Sequence, residues 1–295
     1  MREQLFHKFN ELGSSGEWFL KFVGGIAVSD GLRYLAWAGS AWLFFYVLFR
    51  RRWSARKIVP EFPSPREMGR EIGFSVLTVV IYGVVGALTM LAAMRGWTRL
   101  YFDMTAHGWA WLWFSVALTI LIHDTYFYWT HRLMHHPKLF RHFHRVHHLS
   151  TNPSPWAAYA FGPLEAVVQA GIFPLVAFTL PIHPLAFLIF MAWQITYNIL
   201  GHSGFEIWPR GLMDTWLGKF TNTPTNHVMH HEHFAGNYGL YFNVWDRLCG
   251  TNHAGYEARF CEVTGRSANA TAPVPPVSTA FETATVGVEM NRNSG

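Results

Sequence analysis

The sequence is poor in charged residues and in cysteine. Asp, Glu, Lys and Arg make up 14% of its 295 residues, against about 25% in an average soluble domain, so much of the chain is shielded from water. Its two cysteines, Cys249 and Cys261, are too few for a disulfide framework or a cysteine-based metal site. The hydrophobic content of 51% and the aromatic content of 17% exclude disorder of the whole chain.

Charge is missing above all from a few long apolar runs. A transmembrane helix needs about 20 mostly apolar residues. The windows with at most one charged residue that suit such helices are 32–49, 74–94, 109–122 with an apolar continuation to Trp129, and 166–205. The last window is long enough for two helices, and Pro181 and Pro184 interrupt it. The sequence therefore predicts an all-α, polytopic membrane protein with about four transmembrane helices, the last two forming a hairpin. A large soluble helical core is the alternative, and the lack of polar helix faces disfavours it.

Composition divides the chain into three parts. Residues 1–30 are of mixed polarity and lack the uninterrupted apolar core of a cleaved signal peptide. Residues 31–261 carry the apolar windows and the motifs described below, and are predicted to form one membrane-embedded domain. Residues 262–295 are rich in Ala, Thr, Val, Pro and Ser without a helical period, which predicts a disordered tail.

Basic residues predict the side of the membrane on which each loop lies. Residues 50–71 carry five basic residues in their first eight, whereas the loop 95–108 has two. By the positive-inside rule 50–71 is cytoplasmic, and counting spans places 131–160 and 203–261 on the same side. The net charge of +5 is attributed to contact with a membrane surface. Nucleic acid is excluded as a partner, because the basic residues cluster beside apolar runs.

Histidine is unusually frequent, with 17 copies against 18 acidic residues. Three motifs place histidines three or four residues apart, so that on a helix the side chains within a motif share one face. Neutral imidazole binds iron, zinc and copper. The eight histidines of the three motifs, together with the single His202 that lies between the second and third motifs, exceed what one tetrahedral zinc ion needs. The spacing thus predicts a site for two metal ions. The candidate ligands are His131, His135, His144, His147, His148, His202, His227, His230 and His231.

The remaining histidines do not fit this spacing. Those next to the motifs are predicted to be surface residues or hydrogen-bond donors around the site, and they are His136, His142 and His233. The position of His123 leaves its role open. Those predicted to take no part in metal binding are His7, His107, His183 and His253.

An acidic residue, Asp124, lies in the apolar continuation of the third window. A charged side chain within a membrane span costs about 2.5–3.5 kcal/mol on insertion scales, so such a residue is retained for a reason. Asp124 precedes His131 by seven residues and His135 by eleven, which places all three on one helix face. A carboxylate that accepts the second N–H of a metal-bound histidine fixes its tautomer, and we predict this role for Asp124. The weaker candidates for the same role are Glu165, Asn198 and Asp246.

The motif series HxxxH, HxxHH, an isolated His and a second HxxHH resembles the fatty acid hydroxylase/sterol desaturase superfamily of integral-membrane diiron enzymes. Flanking segments strengthen the resemblance. They are HDTYFYWTHR at 123–132, NPSPW at 152–156 with PLE at 163–165, and NYGLYFNVWDRLCGT at 237–251. The resemblance covers roughly residues 70–255, and the whole motif series is far more specific than a single HxxHH.

The resemblance implies a four-helix transmembrane core with a cytoplasmic helical cap, in a bacterial inner membrane or the endoplasmic reticulum. It implies two iron (Fe) ions held mainly by histidine, with zinc able to replace them in inactive preparations. By position in the motifs, the nine histidines named above become the ligands. Some relatives carry a further histidine near the position of Asn198, so the full ligand count stays open. The implied reaction is O2-dependent oxidation of an unactivated C–H bond in a sterol or fatty-acyl lipid, by hydroxylation or desaturation.

The sequence shows no electron-carrying motif of its own. It has neither a GxGxxG dinucleotide fingerprint, nor a cysteine set for an iron–sulfur cluster, nor an HPGG segment like that of fused cytochrome b5 domains. A separate donor of ferredoxin or cytochrome b5 type with its reductase is therefore predicted. Two other functions stay open: a metal-dependent membrane enzyme of non-redox type, and a metal transporter. The transporter is disfavoured because the motifs follow the ends of the spans, whereas transporters place ligands near the midplane.

Overall fold

The computed structural model describes residues 15–266, and in this range the chain forms helices joined by loops, without a β-strand. The predicted all-α class is confirmed. The α-helices, numbered in chain order, are α1 (Ser15–Trp42), α2 (Arg50–Trp53), α3 (Pro65–Met94), α4 (Gly108–Met134), α5 (Pro137–Phe143), α6 (Pro163–Ala170), α7 (Ile172–Thr179), α8 (Pro184–His202), α9 (Trp216–Phe220), α10 (Pro224–His233), α11 (Val244–Leu248) and α12 (Tyr256–Gly265).

Three helices are long and apolar enough to cross a membrane, and they are α3, α4 and α8. A fourth candidate is the bent pair Gly16–Leu48 and Arg50–Arg56, whose two parts meet at 87°. The bend separates an apolar helix from three consecutive arginines, which are costly in lipid. The structure thus has three helices that could span a membrane, or four if the bent pair is one span, which confirms the prediction of about four.

The predicted hairpin is present, with arms of unequal length. Its first arm, Pro163–Thr179, is broken at Gly171 between α6 and α7, and its second arm is the 19-residue helix α8. At 1.5 Å per residue the first arm reaches about 26 Å, short of the ~30 Å hydrocarbon core. The close packing at position 171 suits glycine, because a Cβ there would lie 2.4 Å from the Tyr126 hydroxyl oxygen and would require Tyr126 to move. The first arm thus packs against the bundle without reaching the length of a full span.

Close helix packing holds the membrane-spanning core together. Helices α1 and α3 run antiparallel, since Gly83 of α3 faces Val23 of α1 while Ser75 of α3 bonds to Tyr34 of α1. A Cβ at position 83 would lie 2.8 Å from the Val23 carbonyl oxygen, so this approach requires glycine. Small residues at such contacts allow van der Waals packing to drive helix association in lipid, where no hydrophobic effect acts between helices.

Sequence signals at the helix ends explain where two of the long helices begin. Ser64 and Glu67 form a capping box at the start of α3, in which each side chain accepts a hydrogen bond from the other's backbone N–H. Pro65 takes the first helical position, where its missing N–H costs no hydrogen bond. Pro184 does the same in α8, and the His183 ring before it accepts a backbone N–H of the first turn. His183 therefore caps a helix.

The polar segments at one end of the bundle form a cap, which comprises α2, α5 and α9 to α12 with their loops. Lys57 joins the segment after α2 to this cap. Its ammonium group is buried, donates to Asn152 Oδ1 at 2.9 Å and lies 5.5 Å from the centre of the Phe205 ring. Burial lowers the pKa of Lys57 to about 8. The cap thus connects segments that are far apart in sequence.

Two helices extend across the boundaries that composition suggested near residues 30 and 261. Helix α1 continues past residue 30 without a break, and α12 extends to Gly265, into the segment predicted to be a disordered tail. The rest of that segment, from residue 267, lies outside the described residues, as do residues 1–14. The prediction of a disordered tail therefore stays a prediction for residues 267–295.

Gly204 follows α8 in a left-handed conformation with φ of +78°. A Cβ there would lie 2.8 Å from Lys57 Nζ and 3.1 Å from the Pro153 carbonyl oxygen. We expect Gly204→Ala to lower the free energy of unfolding by about 1–3 kcal/mol, measured as a lower Tm in detergent micelles. Gly24→Ala is the control, because a Cβ at that helical position meets no atom. Equal Tm values for the two variants would contradict the strain argument.

Candidate metal centre

Nine histidines gather at the capped end of the bundle in two groups. The first histidine group consists of His131, His135, His144, His148 and His230. The second histidine group consists of His147, His202, His227 and His231. Within each group the facing nitrogens lie within 4.8 Å of one another. The structure thus brings together all nine predicted ligands, and no other histidine between residues 15 and 266 joins either group. That these residues bind metal stays a prediction.

Each HxxHH motif contributes to both groups. In the earlier motif His147 faces the second group and His148 the first, and in the later motif His230 faces the first group and His231 the second. The expectation that each motif presents its imidazoles to one side is therefore wrong. Neighbouring residues in a helix differ by about 100° in direction, so the two adjacent histidines of a motif diverge and the motif lies between the groups.

The ring nitrogens within each group are close enough to share an ion. In the first group Nε2 of His135 lies 3.2 Å from Nε2 of His230 and 3.1 Å from Nε2 of His148. In the second group Nε2 of His202 lies 2.9 Å from Nε2 of His227. Two nitrogens bound at a right angle, with metal–nitrogen bonds of about 2.0–2.1 Å, are about 3 Å apart. The observed separations match those expected around a common ion.

Backbone carbonyls fix the tautomers of three imidazoles, whose Nδ1–H groups donate to them. The pairs are His131 with Tyr238 (2.8 Å), His230 with Gly236 (2.7 Å) and His202 with Asn198 (2.7 Å). Because a carbonyl oxygen only accepts, the proton is on Nδ1 and Nε2 presents its lone pair to the group. This arrangement is typical of metal-binding histidines.

Two of the inward-facing nitrogens have no hydrogen-bond partner among the described residues. They are Nε2 of His131 and Nε2 of His144, both buried. A buried polar atom without a partner costs about 1–3 kcal/mol, and a metal ion bound by the lone pair would remove that cost. The donor set, its spacing and its unpaired atoms therefore fit a metal ion.

Glu165 orients one of these histidines. Its Oε1 lies 2.7 Å from Nδ1 of His144, and both side chains are buried. This is the carboxylate–histidine contact that was predicted for Asp124, and that prediction is wrong: Asp124 Oδ1 accepts the backbone N–H groups of Tyr241 and Phe242 at 2.8 and 3.2 Å. Asp124 shares a helix face with the HxxxH motif, but seven residues correspond to about 10 Å along the axis, beyond hydrogen-bond reach.

Asp124 and Asp246 instead hold the loop that carries the carbonyl acceptors. Asp246 accepts the backbone N–H of Tyr238 at 2.9 Å and that of Gly239 at 2.7 Å. The loop between α10 and α11 is thus fixed by one carboxylate from α4 and one from α11. Through it, both carboxylates act on the orientation of the first histidine group without touching an imidazole.

Glu206 also supports the histidine groups, and no pattern in the sequence pointed to it. Its buried carboxylate accepts the backbone N–H of Thr225 at 3.0 Å and the Thr225 hydroxyl at 2.7 Å, in the first turn of α10. It also accepts the Trp208 N–H at 3.0 Å. Burial raises the pKa of Glu206 above its usual range. Glu206 anchors the helix that supplies three of the nine histidines, and a contact between residues 19 apart left no periodic signal in the sequence.

The histidines outside the spans are held in the neutral, ligand-competent form. Burial, and then the neighbouring imidazoles, place the pKa well below the usual range for His144, His147, His148, His227 and His231. Burial lowers the pKa of His230 to about 4. Protonated imidazole has no lone pair for a metal, so the lowered pKa values favour the protonation state that a metal site would require.

A cavity of about 330 Å³ lies among the membrane-spanning helices next to the histidines. Phe127 and Phe161 line it, and their ring centres lie 4.9 Å from that of His131 and 5.1 Å from that of His147, respectively. His123, whose role the sequence left open, belongs to the cavity wall. Its Nδ1 lies 2.7 Å from the Tyr241 hydroxyl oxygen, and it joins neither histidine group. The cavity therefore ends against the two groups.

The other described histidines lie elsewhere. His136 and His142 are exposed. His233 stacks on His253 with ring centres 4.6 Å apart, and His107 packs against Tyr101 at 4.6 Å. His7 lies outside the described residues.

The Asp124 contact can be tested by comparing two substitutions. Asp124→Ala leaves the buried Tyr241 N–H and the partly buried Phe242 N–H without their acceptor, and we expect the free energy of unfolding to fall by about 1–3 kcal/mol. Asp124→Asn is the matched control, because its amide oxygen keeps the acceptor. Tm in detergent micelles measures both. A Tm for the asparagine variant as low as that for the alanine variant would show that the carboxylate has another role.

A helical bundle with three to four candidate spans and two histidine groups that could hold metal ions is typical of a multi-pass membrane protein with a candidate metal centre. The fatty acid hydroxylase family model matches residues 116–251, which include every histidine of both groups. Comparison with curated proteins gives relatives over most of the chain. A Delta(7)-sterol 5(6)-desaturase of Aspergillus fumigatus is 32% identical over 242 residues, 74% of this chain and 73% of that protein. The chain belongs to the fatty acid hydroxylase family, which here includes sterol desaturase relatives.

Two further relatives carry related names. A Delta(7)-sterol 5(6)-desaturase of Gibberella zeae is 34% identical over 216 residues, 73% of this chain and 64% of that protein. The lathosterol oxidase of Rattus norvegicus is 31% identical over 187 residues, 63% of this chain and 61% of that protein. The chain thus spans slightly less than two thirds of the length of these two proteins. No solved structure matches the chain.

Proposed function

We propose that this protein is a membrane oxidoreductase that uses O2 to oxidise a C–H bond of a sterol or fatty-acyl lipid. The observation that carries the proposal is the pair of histidine groups at the end of a cavity among membrane-spanning helices. The names of the relatives, sterol desaturases and a lathosterol oxidase, support lipid oxidation and favour a sterol-like substrate. Hydroxylation and desaturation are both within the proposal.

The two histidine groups would hold one iron ion each. When bound, reduced iron together with O2 supplies an oxidant strong enough for an unactivated C–H bond. The chain's own contribution is position and exclusion of water. Carbonyl and carboxylate contacts at Nδ1 hold the imidazoles in place. Phe127 and Phe161 line the end of the cavity beside the histidines with apolar rings, which disfavour water there.

We place the histidine end of the bundle on the cytoplasmic side, because the basic residues lie at that end. A separate electron donor of ferredoxin or cytochrome b5 type with a reductase is part of the proposal. The exposed basic residues near the first histidine group, which suit an acidic donor, are Arg132, Lys138, Arg141 and Arg145. The positive-inside rule also accounts for this charge, so the donor surface needs its own test by charge reversal.

Lipid mass spectrometry tests the proposed reaction. Membranes of cells that express the chain are compared with membranes of cells that express His147→Ala, in which one member of the second group is lost. We expect a lipid with one added oxygen, or with two hydrogens fewer, only with the unaltered chain. Purified active protein should contain iron and consume O2. An active preparation that holds zinc alone and consumes no O2 would overturn the proposal in favour of a non-redox metal enzyme.

A further inference from the structure

An ion pair on α1 faces the cavity from within the membrane-spanning region. Asp30 and Arg33 lie one helical turn apart, are paired with each other, and both line the cavity. The Asp30 side chain is buried, with 5% of the residue exposed. Charged groups in a span are costly, and nothing in the histidine groups uses this pair. We propose that Asp30 and Arg33 bind the hydroxyl group of an amphipathic lipid and hold that end of the lipid towards the histidines. This inference rests on the proposed function.

The contact between Asp30 and Arg33 leaves other polar atoms in this part of the cavity without a hydrogen bond. Oδ2 of Asp30 and Nε of Arg33 are buried and have no hydrogen-bond partner among the described residues. Gln194 of α8 also lines the cavity, and its Oε1 is buried without a partner. Buried polar groups are nearly always hydrogen-bonded. Three unpaired atoms at one end of one cavity therefore point to a polar ligand group.

The charges of Asp30 and Arg33 favour a hydroxyl group as the ligand group that they bind. A hydroxyl group both donates and accepts, and here the Asp30 carboxylate accepts while the Arg33 guanidinium donates. A lipid carboxylate or phosphate is disfavoured, because Asp30 already neutralises the single cation and would repel a second anion. The far part of the cavity is apolar, with Met90, Phe173 and Phe187. The cavity thus fits a lipid with one hydroxyl and a long apolar body.

The helix positions show which end of the cavity is polar. Arg33 precedes Tyr34, whose ring stacks on Tyr159 with centres 5.1 Å apart. Tyr159 in turn stacks on Phe161, and Phe161 contacts His147. Along α8 the apolar lining residue Phe187 lies near the start and Gln194 one turn before Asn198, the carbonyl partner of His202. The polar end and the histidine end therefore coincide.

The direction of the bound lipid follows. Its hydroxyl end lies near the histidines, and its apolar body extends towards the start of α8. Gly25, Ser29 and Leu188 line the cavity and are exposed on the outside of the bundle, Leu188 to 60%. These residues form a mouth between α1 and α8 that faces lipid, through which the body can enter sideways. Oxidation is then expected within a few carbon atoms of the hydroxyl and far from the end of the apolar body.

A binding experiment without iron or O2 tests the pair. Tritiated cholesterol and the matching 3-deoxy hydrocarbon, cholest-5-ene, are bound to the purified full chain in detergent micelles. We expect the unaltered chain to bind the hydroxylated probe about tenfold more tightly, the effect of one hydrogen-bonded group at a buried charged pair. The double variant Asp30→Leu/Arg33→Leu, which removes both the acceptor and the donor, should bring this ratio to about one. The double variant leaves no unpaired charge, so its folding does not depend on the ion pair.

Asp103→Asn provides the matched control, because Asp103 is exposed in the loop before α4 and, within the described chain, its side chain bonds only to Thr105. It should keep the tenfold ratio. A ratio near one in the unaltered chain, absence of binding by both probes, or an unchanged ratio in the double variant would each overturn the inference. Since no reaction is needed, tight binding with the expected ratio but no lipid oxidation in cells would overturn the proposed function alone.

Discussion

Lipid oxidation is expected to disappear when His147 is replaced by alanine. His147 belongs to the smaller histidine group, and its Nε2 lies 3.2 Å from Nε2 of His202. Its loss leaves three imidazoles in that group, too few for the predicted ligand set. We expect product formation to fall below detection and bound metal to fall by at least one ion per chain. Lipid mass spectrometry and metal analysis of the purified protein measure the two effects.

His142→Ala is the matched control for this experiment. His142 lies in the same part of the chain, is exposed and belongs to neither group, so both metal content and product should match those of the unaltered chain. Recovery of both variants from the membrane fraction in equal amounts shows that folding is kept. Normal oxidation by His147→Ala would show that His147 is not a ligand. The assignment of the nine histidines to two metal-binding groups would then be wrong.

Removal of the Glu165 carboxylate is expected to weaken metal binding by about 10–100-fold, the usual effect of losing the partner that orients a metal-bound histidine. Glu165 holds Nδ1 of His144 at 2.7 Å, and Glu165→Ala leaves that buried nitrogen without its partner. Metal affinity by competition with a chelator measures the change, and oxidation should fall in parallel. The effect should be larger than that of Asp124→Ala, because Asp124 contacts only backbone amides.

Glu165→Gln separates the effect of the hydrogen bond to His144 from the effect of the negative charge. Its amide oxygen still accepts the His144 N–H, so the ring keeps its orientation while the negative charge is lost. We expect metal affinity between those of the alanine variant and the unaltered chain. If alanine and glutamine variants both bind metal as tightly as the unaltered chain, the Glu165–His144 contact serves the fold alone.

Local patterns in the sequence predicted much of this protein. Runs without charge indicated the spans, and Pro181 and Pro184 indicated the hairpin turn, because both signals act over a few residues. Histidine spacing identified eight of the nine members of the two groups for the same reason, while His202 stands alone in the sequence. The division of each HxxHH motif between the groups was not predictable, since it depends on which partner approaches from another helix.

Contacts between distant segments account for the errors. Glu165 reaches His144 across 21 residues, and Asp124 reaches the loop at Tyr241 across 117. Both carboxylates looked alike in the sequence, as rare acidic residues within or next to apolar runs, and only the packing of distant segments decides between them. Asp30 belongs to no recognisable sequence motif. Its position in the cavity wall depends on how α1 packs against α8.

The sharing of each HxxHH motif by both groups has a consequence for assembly. His147 and His148 are joined by one peptide bond, as are His230 and His231, and in each pair the two rings face different groups. An ion bound in one group would therefore immobilise the same backbone that carries the histidines of the other group. Occupation of the first site reduces the conformational entropy that the second must lose. Loading should be cooperative, with a steep metal titration and very little singly occupied protein.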